Sequence, residues 1–291
     1  MTYYQFIHEV EVKVKEGVKE NTTVYIRSAV KNNGTTRQGL TIAETGLNIF
    51  PTIYLEEYYQ QFQEGSSVEN IAGDILRLYG EVRFKRSFES ESITDYEKVK
   101  KKIVYSLVNK EANKDLLKEV PYEAYLDMAI VFYVLLEVNT YGMASMLIKD
   151  EHLAMWNVTA EEICRRAHEN TGKLLPYELK TMKAVIQELT DTESEDKEDV
   201  MYVLSNRSRS YGAAAILYKG RLEEIGEYLE EDYYVLPSSV HEVIIIPQSA
   251  APGQEELSDL VTEINTTQVD AEEVLSNHAY YYDRKKKKLL M

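Results

Sequence analysis

The sequence predicts an α+β fold, with an antiparallel or mixed sheet built of hairpins and with helices packed on one face. Two observations predict it. β-type runs come in pairs joined by turns, and apolar residues recur at helical spacing in the segments that follow those pairs. Hairpins that precede helices favour α+β over a doubly wound parallel fold.

The first predicted elements are a helix, a hairpin and a helix pair. Residues 3–14 carry apolar side chains on one helical face, and β-type runs at 22–30 and 39–43 flank Asn33-Gly34. Asn-Gly between such runs is the strongest short hairpin signal, because both residues tolerate the positive φ of a tight turn. Pro51 is predicted to open the first helix of the pair, and the second is predicted to begin at a capping box formed by Ser66 and Glu69.

The middle of the chain is predicted to alternate between loops and strands. Residues 88–95 are polar and predict a loop, whereas 98–107 end in an apolar run that favours a strand. Residues 124–136 are almost all apolar, which is typical of a central strand covered on both faces. A buried helix is the alternative, since periodicity alone does not separate the two. Residues 144–148 predict the partner strand.

The rest of the chain is predicted to hold further helices and hairpins. A capping box at Thr159 predicts one helix, and Pro176 predicts the start of another that ends near Leu189. The later elements are predicted as strands at 201–205 and 213–218, a helix at 221–229, a hairpin at 233–247, helices near 257–264 and 270–273, and a strand at 279–283.

An acidic segment suggests a division of the chain. Residues 190–199 contain six acids and one lysine, a net charge of −5, and such a run is typical of a solvated loop or linker. We therefore expect an N-terminal region at 1–189 and a C-terminal region at 200–291. One integrated domain is the alternative.

Composition limits the classes of function. The 291 residues carry a net charge of −16, which repels phosphate backbones, so nucleic acid is not an expected partner. The basic run at 284–288 is interpreted as a solvated tail. There is one cysteine, Cys164, and no signal-peptide or membrane-spanning pattern, so we expect a cytoplasmic location and no membrane association.

No metal site or cofactor is predicted. Cys164 and His168 share a helix face at i and i+4, but two ligands do not hold a metal, and the cysteine is interpreted as a core residue. His241-Glu242 begins like a zinc-protease motif, yet Ile245 occupies the position of the second histidine. No glycine-rich phosphate loop is present.

Two groups of residues are candidates for chemistry. Ser238, Ser239, His241 and Glu242 lie together in the turn of the last hairpin, where a serine with a histidine base would make a nucleophile. A purely structural turn is the competing interpretation, since serines in turns usually bond to the local backbone.

The second group lies in a loop between two predicted strands. Asn206, Arg207, Arg209 and Tyr211 could bind a carboxylate or phosphate, because guanidinium groups present forked donors. A solvated loop is the competing interpretation.

Several stretches together resemble a family. The strongest are Tyr-Gly-Ala-Ala-Ala-Ile-Leu-Tyr at 211–218 and Leu-Pro-Ser-Ser-Val-His-Glu-Val at 236–243. Supporting stretches lie at 30–34, 50–55, 151–156, 166–171 and 278–284. The chain resembles, over nearly its whole length, a domain-of-unknown-function family of gut clostridial proteins. The resemblance implies a bacterial, cytoplasmic protein and transfers no catalytic residue.

The leading hypothesis is a non-enzymatic module that binds another protein. The 23 tyrosines support it, because tyrosine is enriched at recognition surfaces. The alternative is a small-molecule hydrolase or ligand-binding enzyme centred on the turn at 236–242. The oligomeric state is left open.

Overall fold

The chain folds into two compact units, residues 1–94 and 95–291, each with its own hydrophobic core. The structure is a computed structural model that describes residues 1–47, 50–83, 93–139, 142–190 and 200–291. None of the helices within these ranges combines the length and the apolar character needed to cross a membrane.

The first unit places helices against a three-stranded antiparallel sheet of order β1-β2-β3. Its elements are α1 (Tyr3–Gly17), β1 (Thr22–Val30), β2 (Thr36–Glu44), β3 (Thr52–Tyr54), α2 (Glu56–Gln63) and α3 (Val68–Val82). Asn33 and Gly34 have φ of 58° and 71° in the β1–β2 turn, so the predicted hairpin is confirmed.

Burial of one face of each long helix holds this unit together. α1 begins with a capping box between Thr2 and Gln5 and buries Phe6 and Val10 completely. Each such side chain contributes about 1.5–3 kcal/mol relative to exposure. α3 buries Val68, Ile71, Ala72, Ile75 and Tyr79, and its N-cap is Ser67 rather than the predicted Ser66.

The second unit contains the remaining elements. These are α4 (Tyr96–Val99), β4 (Ile103–Asn109), β5 (Tyr122–Tyr125), β6 (Met128–Asn139), β7 (Gly142–Leu147), α5 (Asp150–Trp156), α6 (Ala160–Leu174), β8 (Tyr177–Thr181), α7 (Met182–Thr190), β9 (Tyr202–Asn206), α8 (Arg221–Leu229), β10 (Tyr233–Leu236), β11 (Val243–Pro247), α9 (Gln254–Thr267), β12 (Tyr280–Asp283) and β13 (Lys288–Leu290).

Two antiparallel sheets organise this unit. One has the order β4-β6-β5, with β7 also pairing with β6, and the other has the order β13-β12-β10-β11-β9-β8. β6 is buried along most of its length, so residues 124–136 contain a central strand, not a buried helix. The α+β class with antiparallel sheets is confirmed.

Tyrosines face one another across the pair β10–β12. Tyr233 and Tyr282 are register partners whose rings stack 4.8 Å apart inside the core, and Tyr234 and Tyr281 pair on the other face at 5.3 Å. The strand pair is therefore held by aromatic contacts on both faces.

Three predicted elements are wrong. Residues 177–181 form β8, and the helix expected from Pro176 begins only at Met182. A proline is equally compatible with the first residue of a strand, so it did not decide the element type. The sequence predicts a strand at 213–218, but Gly212–Leu217 is a 3₁₀ helix in which the alanines are buried. The helix expected at 270–273 is a turn.

Other predictions need a change of detail. Pro51 precedes the short strand β3, so the helix after it begins at Glu56. The basic run at 284–288 is not a tail, because residues 284–287 form the turn of the β12–β13 hairpin and Lys288 begins β13. The predicted loop at 88–95 falls mostly outside the described residues.

The two units meet in sequence at residue 94, which differs from the division predicted at 190–199. β8 and β9 lie on either side of the acidic segment and pair with each other, so one sheet includes residues from both predicted regions. Residues 191–199 themselves lie outside the described residues.

Candidate functional site

The turn at 237–242 is hydrogen-bonded along one side to residues 273–276. Three backbone hydrogen bonds of 2.8 to 3.0 Å join Pro237, Ser238 and Val240 to that segment. An isolated β-bridge between Ser239 and residue 274 lies among them. The turn is therefore fixed by backbone hydrogen bonds and one isolated bridge and is not a solvated loop.

The imidazole of His241 uses both of its ring nitrogens. Its Nδ1 accepts the backbone N–H of Tyr211 at 3.2 Å, and its Nε2 lies 3.2 Å from a carboxylate oxygen of Glu273. This pattern assigns the neutral tautomer with the proton on Nε2. The lone pair that a general base needs is therefore already engaged by a backbone donor.

The serines of the turn have structural contacts. The Ser239 hydroxyl is buried and accepts the backbone N–H of His241 at 3.0 Å. Burial raises the pKa of the Glu242 carboxyl, while His241 and a hydrogen bond from Ser239 partly offset that effect. Ser239 and His241 are thus neighbours through the backbone and not through the imidazole, and the geometry lends no support to Ser239 as the nucleophile.

Asn206 organises the loop that carries the second group of candidates. It is buried, its amide oxygen accepts from the Ser208 hydroxyl at 2.7 Å, and its amide nitrogen donates to the Ser210 carbonyl at 2.8 Å. Arg209 and Tyr211 have φ of 49° and 53°, so the loop turns twice through left-handed backbone. Asn206 therefore shapes this loop through its side-chain amide.

Gly212 brings the loop against the turn. A Cβ at this position would lie 2.1 Å from the Ser205 hydroxyl oxygen and 2.6 Å from backbone atoms of Asn206 and His241. Ser205 in turn donates to the His241 carbonyl at 2.7 Å. The two groups of candidates therefore do meet, through close backbone packing between Tyr211-Gly212 and His241.

Arg209 belongs to an ion network on one face of β8. Its guanidinium pairs with Glu188 and lies 3.7 Å from Glu178, and Lys180 bonds the same two carboxylates at 2.6 and 3.0 Å. Partly exposed pairs of this kind contribute at most about 1 kcal/mol each. Their role is to fix the position of α7 beside β8.

The described ion pairs do not include Arg207, whose exposed side chain borders a cavity of about 610 Å³. The cavity is lined by residues 176–181, by Tyr202 and Arg207, and by residues 221, 224, 225 and 228 of α8. Successive side chains of a strand point to opposite faces. A cavity that touches six consecutive residues therefore runs along the edge of β8, and we call it the edge groove.

The register of β8 with β9 decides which backbone groups face the edge groove. Backbone hydrogen bonds run from the Met182 N–H to the Met201 carbonyl at 2.8 Å and from the Arg207 N–H to the Pro176 carbonyl at 2.9 Å. In an antiparallel pair alternate residues bond to the partner strand. The backbone N–H and C=O groups of even-numbered residues of β8 therefore point toward β9. Those of odd-numbered residues point away from β9.

The outward-facing groups are the N–H and C=O of Tyr177 and Leu179 and the N–H of Thr181, because Thr181 is the N-cap of α7 and its carbonyl belongs to the first turn of that helix. β8 is the last strand of its sheet, and no strand in the described part of the chain pairs with its outer side. It is therefore a free edge, a row of backbone donors and acceptors open to another chain.

The wall opposite β8 is aromatic and cationic. The Arg221 guanidinium lies over the ring of Tyr177, 3.2 Å from its centroid, and bonds Glu224 at 2.5 Å. Its buried Nε has no hydrogen-bond partner among the described residues. Tyr228, which is 65% exposed, packs edge-on against Tyr202 at 5.8 Å.

The single cysteine lies away from this groove. Cys164 is half-buried on α6 and packs against the main core of the second unit, and its thiol donates to Glu123 at 3.2 Å. Burial, and then the hydrogen bond to Glu123, raise the pKa of this thiol to about 11. Cys164 is therefore not an activated nucleophile.

Comparison with known proteins gives a family and no activity. No curated protein and no solved structure matches the chain. A family described as of unknown function, DUF5688, matches residues 3–284, which is nearly the whole chain. The resemblance to a domain-of-unknown-function family expected from the sequence is thereby confirmed, and the chain belongs to DUF5688.

Proposed function

We propose that the second unit binds an extended segment of a partner protein, which adds as a further strand to the free edge of β8. The observation that carries this proposal is the edge groove, because it runs along an unpaired strand. Strand addition obtains affinity from main-chain hydrogen bonds and specificity from recesses that receive alternate side chains.

The backbone supplies the first requirement. Tyr177 and Leu179 present their N–H and C=O groups at alternate positions and Thr181 adds its N–H, which is the spacing that an added antiparallel or parallel strand needs. A bound segment of about four to six residues would use all of them, since strands rise about 3.3 Å per residue.

The side chains supply the second requirement. Tyr177 and Tyr228 are 37% and 65% exposed, and both line the edge groove with Tyr202. Aromatic rings at a recognition surface bring a large contact area at low entropic cost. They are suited to cover apolar side chains of the bound segment.

Charge favours a segment that carries a carboxylate. The lining contains the cations Lys180, Arg207 and Arg221 against the acids Glu178 and Glu224, a local balance of +1 in a chain of net charge −16. Lys180 and Arg221 already pair with acids, whereas no described ion pair involves Arg207. We assign Arg207 the role of recognising an Asp or Glu side chain, or a C-terminal carboxylate, of the partner.

The hydrolase hypothesis receives no comparable support. The unprotonated Nδ1 of His241 already accepts a backbone N–H, and the Ser239 hydroxyl bonds to the local backbone. Neither group lines the edge groove.

The test begins with selection of ligands from a display library of random peptides about ten residues long, a length that spans the groove. The affinity of a selected peptide is then measured by fluorescence anisotropy for the wild type, for Arg207→Glu and for Tyr228→Ala. We expect each variant to bind at least about tenfold more weakly, a difference of about 1.4 kcal/mol. Lys173→Glu is the matched control, because it makes the same charge change on exposed α6, and it should bind as the wild type does.

Amide hydrogen exchange distinguishes strand addition from other modes of binding. The bound peptide should slow exchange at Tyr177 and Leu179, whose N–H groups face the groove. Glu178, whose N–H already faces β9, should change little. A selected peptide that binds Arg207→Glu as tightly as the wild type, or that leaves the exchange of Tyr177 and Leu179 unchanged, contradicts the proposal.

A further inference from the structure

Three ligand-type side chains converge on the surface of the second unit, away from the edge groove. Cys164 and His168 lie one turn apart on α6, and Glu123 reaches them from β5. The Glu123 carboxylate oxygen is 3.2 Å from the Cys164 sulfur and 3.8 Å from Nε2 of His168. The three ligand atoms all lie within 4.8 Å of one another.

We propose that Glu123, Cys164 and His168 form a site for a divalent transition-metal ion, with Zn²⁺ as the ion that best fits them. In a tetrahedral zinc shell the bonds are about 2.0 to 2.3 Å long, which places neighbouring ligand atoms about 3.3 to 3.6 Å apart. The distances from Glu123 to the other two ligands differ from that range by a few tenths of an ångström. The ligand atoms of Cys164 and His168 lie within 4.8 Å of each other, so side-chain rotations that bring them into the same range close the shell.

The chemistry of the ligands selects the class of metal. A thiolate and an imidazole suit zinc and its first-row neighbours, whereas Mg²⁺ and Ca²⁺ take oxygen ligands. One carboxylate beside a sulfur and a nitrogen is therefore a poor site for the hard cations that acidic surfaces usually collect.

The fold holds two of the ligands in place. Cys164 and His168 are set by consecutive turns of a 15-residue helix, and the imidazole packs against the buried ring of Tyr105 at a centroid distance of 4.9 Å. Glu123 is more exposed, with 53% of its side chain accessible, so it is the ligand that moves to complete the shell. Three protein ligands leave a fourth position for water, as in zinc sites that react with or exchange a ligand.

The test measures metal binding directly on the purified protein after treatment with a chelator. Titration with Co²⁺, which replaces Zn²⁺ and is coloured, should give one equivalent of bound ion. Its spectrum should show a thiolate-to-cobalt band and the intense visible absorption of a four-coordinate site. Competition with Zn²⁺ should then remove that spectrum.

Variants identify the ligands. Cys164→Ser should abolish the thiolate band, and His168→Gln and Glu123→Gln should each weaken Co²⁺ binding at least about tenfold, the lower range for loss of a metal-site group. His278→Gln is the matched control, because it removes an exposed histidine outside the cluster and should leave binding unchanged. Circular dichroism of each variant confirms that it is folded. Absence of stoichiometric binding, or binding that survives in both Cys164→Ser and His168→Gln, overturns the proposal.

Discussion

Tyr280 and Tyr282 form a natural pair for measuring what a buried hydroxyl contributes to this fold. Both lie on β12, face the same core and are almost completely buried, with 0% and 2% of their surface exposed. The Tyr280 hydroxyl donates to the carboxylate of Asp127 and lies 3.1 Å from the Ser276 hydroxyl. The Tyr282 hydroxyl is buried with no hydrogen-bond partner among the described residues.

Removing the two hydroxyls should therefore have opposite consequences. Tyr280→Phe deletes a hydrogen bond to a charged group and takes a donor from Asp127, for an expected loss of about 1.5–3 kcal/mol in the free energy of unfolding. Tyr282→Phe deletes a hydroxyl that is desolvated without compensation, so it should be neutral or stabilise the fold by up to about 1 kcal/mol. We expect the free energies of unfolding of the two variants to differ by about 1.5–4 kcal/mol.

Urea unfolding followed by tryptophan fluorescence measures this difference. Trp156 is the only tryptophan of the chain, is 7% exposed and belongs to the second unit, so it reports the unit that contains both tyrosines. The comparison requires that the free energy of unfolding falls with urea concentration at the same slope, the m-value, in both variants. Equal losses in Tyr280→Phe and Tyr282→Phe, or a larger loss in Tyr282→Phe, would refute the reasoning.

Two further predictions use the same measurement. Gly212→Ala should lower the free energy of unfolding by about 1–3 kcal/mol, because the added Cβ meets fixed backbone. In Gly172→Ala the nearest neighbour of the Cβ is 3.5 Å away, so this free energy should change by less than about 1 kcal/mol. Similar changes in the two variants would contradict the packing argument. Burial lowers the pKa of His152 below 6.5, and its neutral ring accepts the Lys149 N–H at 2.9 Å. Its contribution is therefore complete above pH 6.5 and is lost as the pH falls through the folded-state pKa, so the wild type should lose more stability than His152→Asn between about pH 8 and about pH 5. Parallel pH profiles would contradict this assignment.

Much of the fold could be predicted because local signals agree with tertiary packing. The stripe from Val68 to Tyr79 appears in the sequence at helical spacing and is the buried face of α3. The Asn33-Gly34 turn needs left-handed backbone, and those residue types tolerate it. In both places one local pattern admits one structure.

The errors arose where a local pattern admits two structures. Residues 213–218 are apolar without alternation, and only the close packing of the preceding Gly212 against Ser205 and His241 favours the 3₁₀ helix there. Tyr177 to Thr181 becomes a strand because β9 pairs with it, and that partner lies more than twenty residues further along the chain.

The candidate sites show the same limit more clearly. Proximity in the sequence brought Ser239 and His241 together, but the sequence does not reveal that Tyr211 engages the imidazole. Glu123 is 41 residues from Cys164, so the third ligand of the proposed metal site had no local signal. The edge groove likewise exists only once the strand order leaves β8 unpaired on one side.

The buried tyrosines of the second unit, among them Tyr233 of the stacked pair across β10 and β12, also set a limit on the pH range in which the fold survives. Burial raises the pKa of Tyr105, Tyr218, Tyr233 and Tyr280 above the ordinary value of 10.0. Their phenols stay protonated in the folded chain and ionise in the unfolded chain as the pH rises past that value, which draws the equilibrium toward unfolding. The folded state is thus stable at neutral pH and is destabilised in strong base. The same core built from phenylalanine would lack this property, because phenylalanine does not ionise.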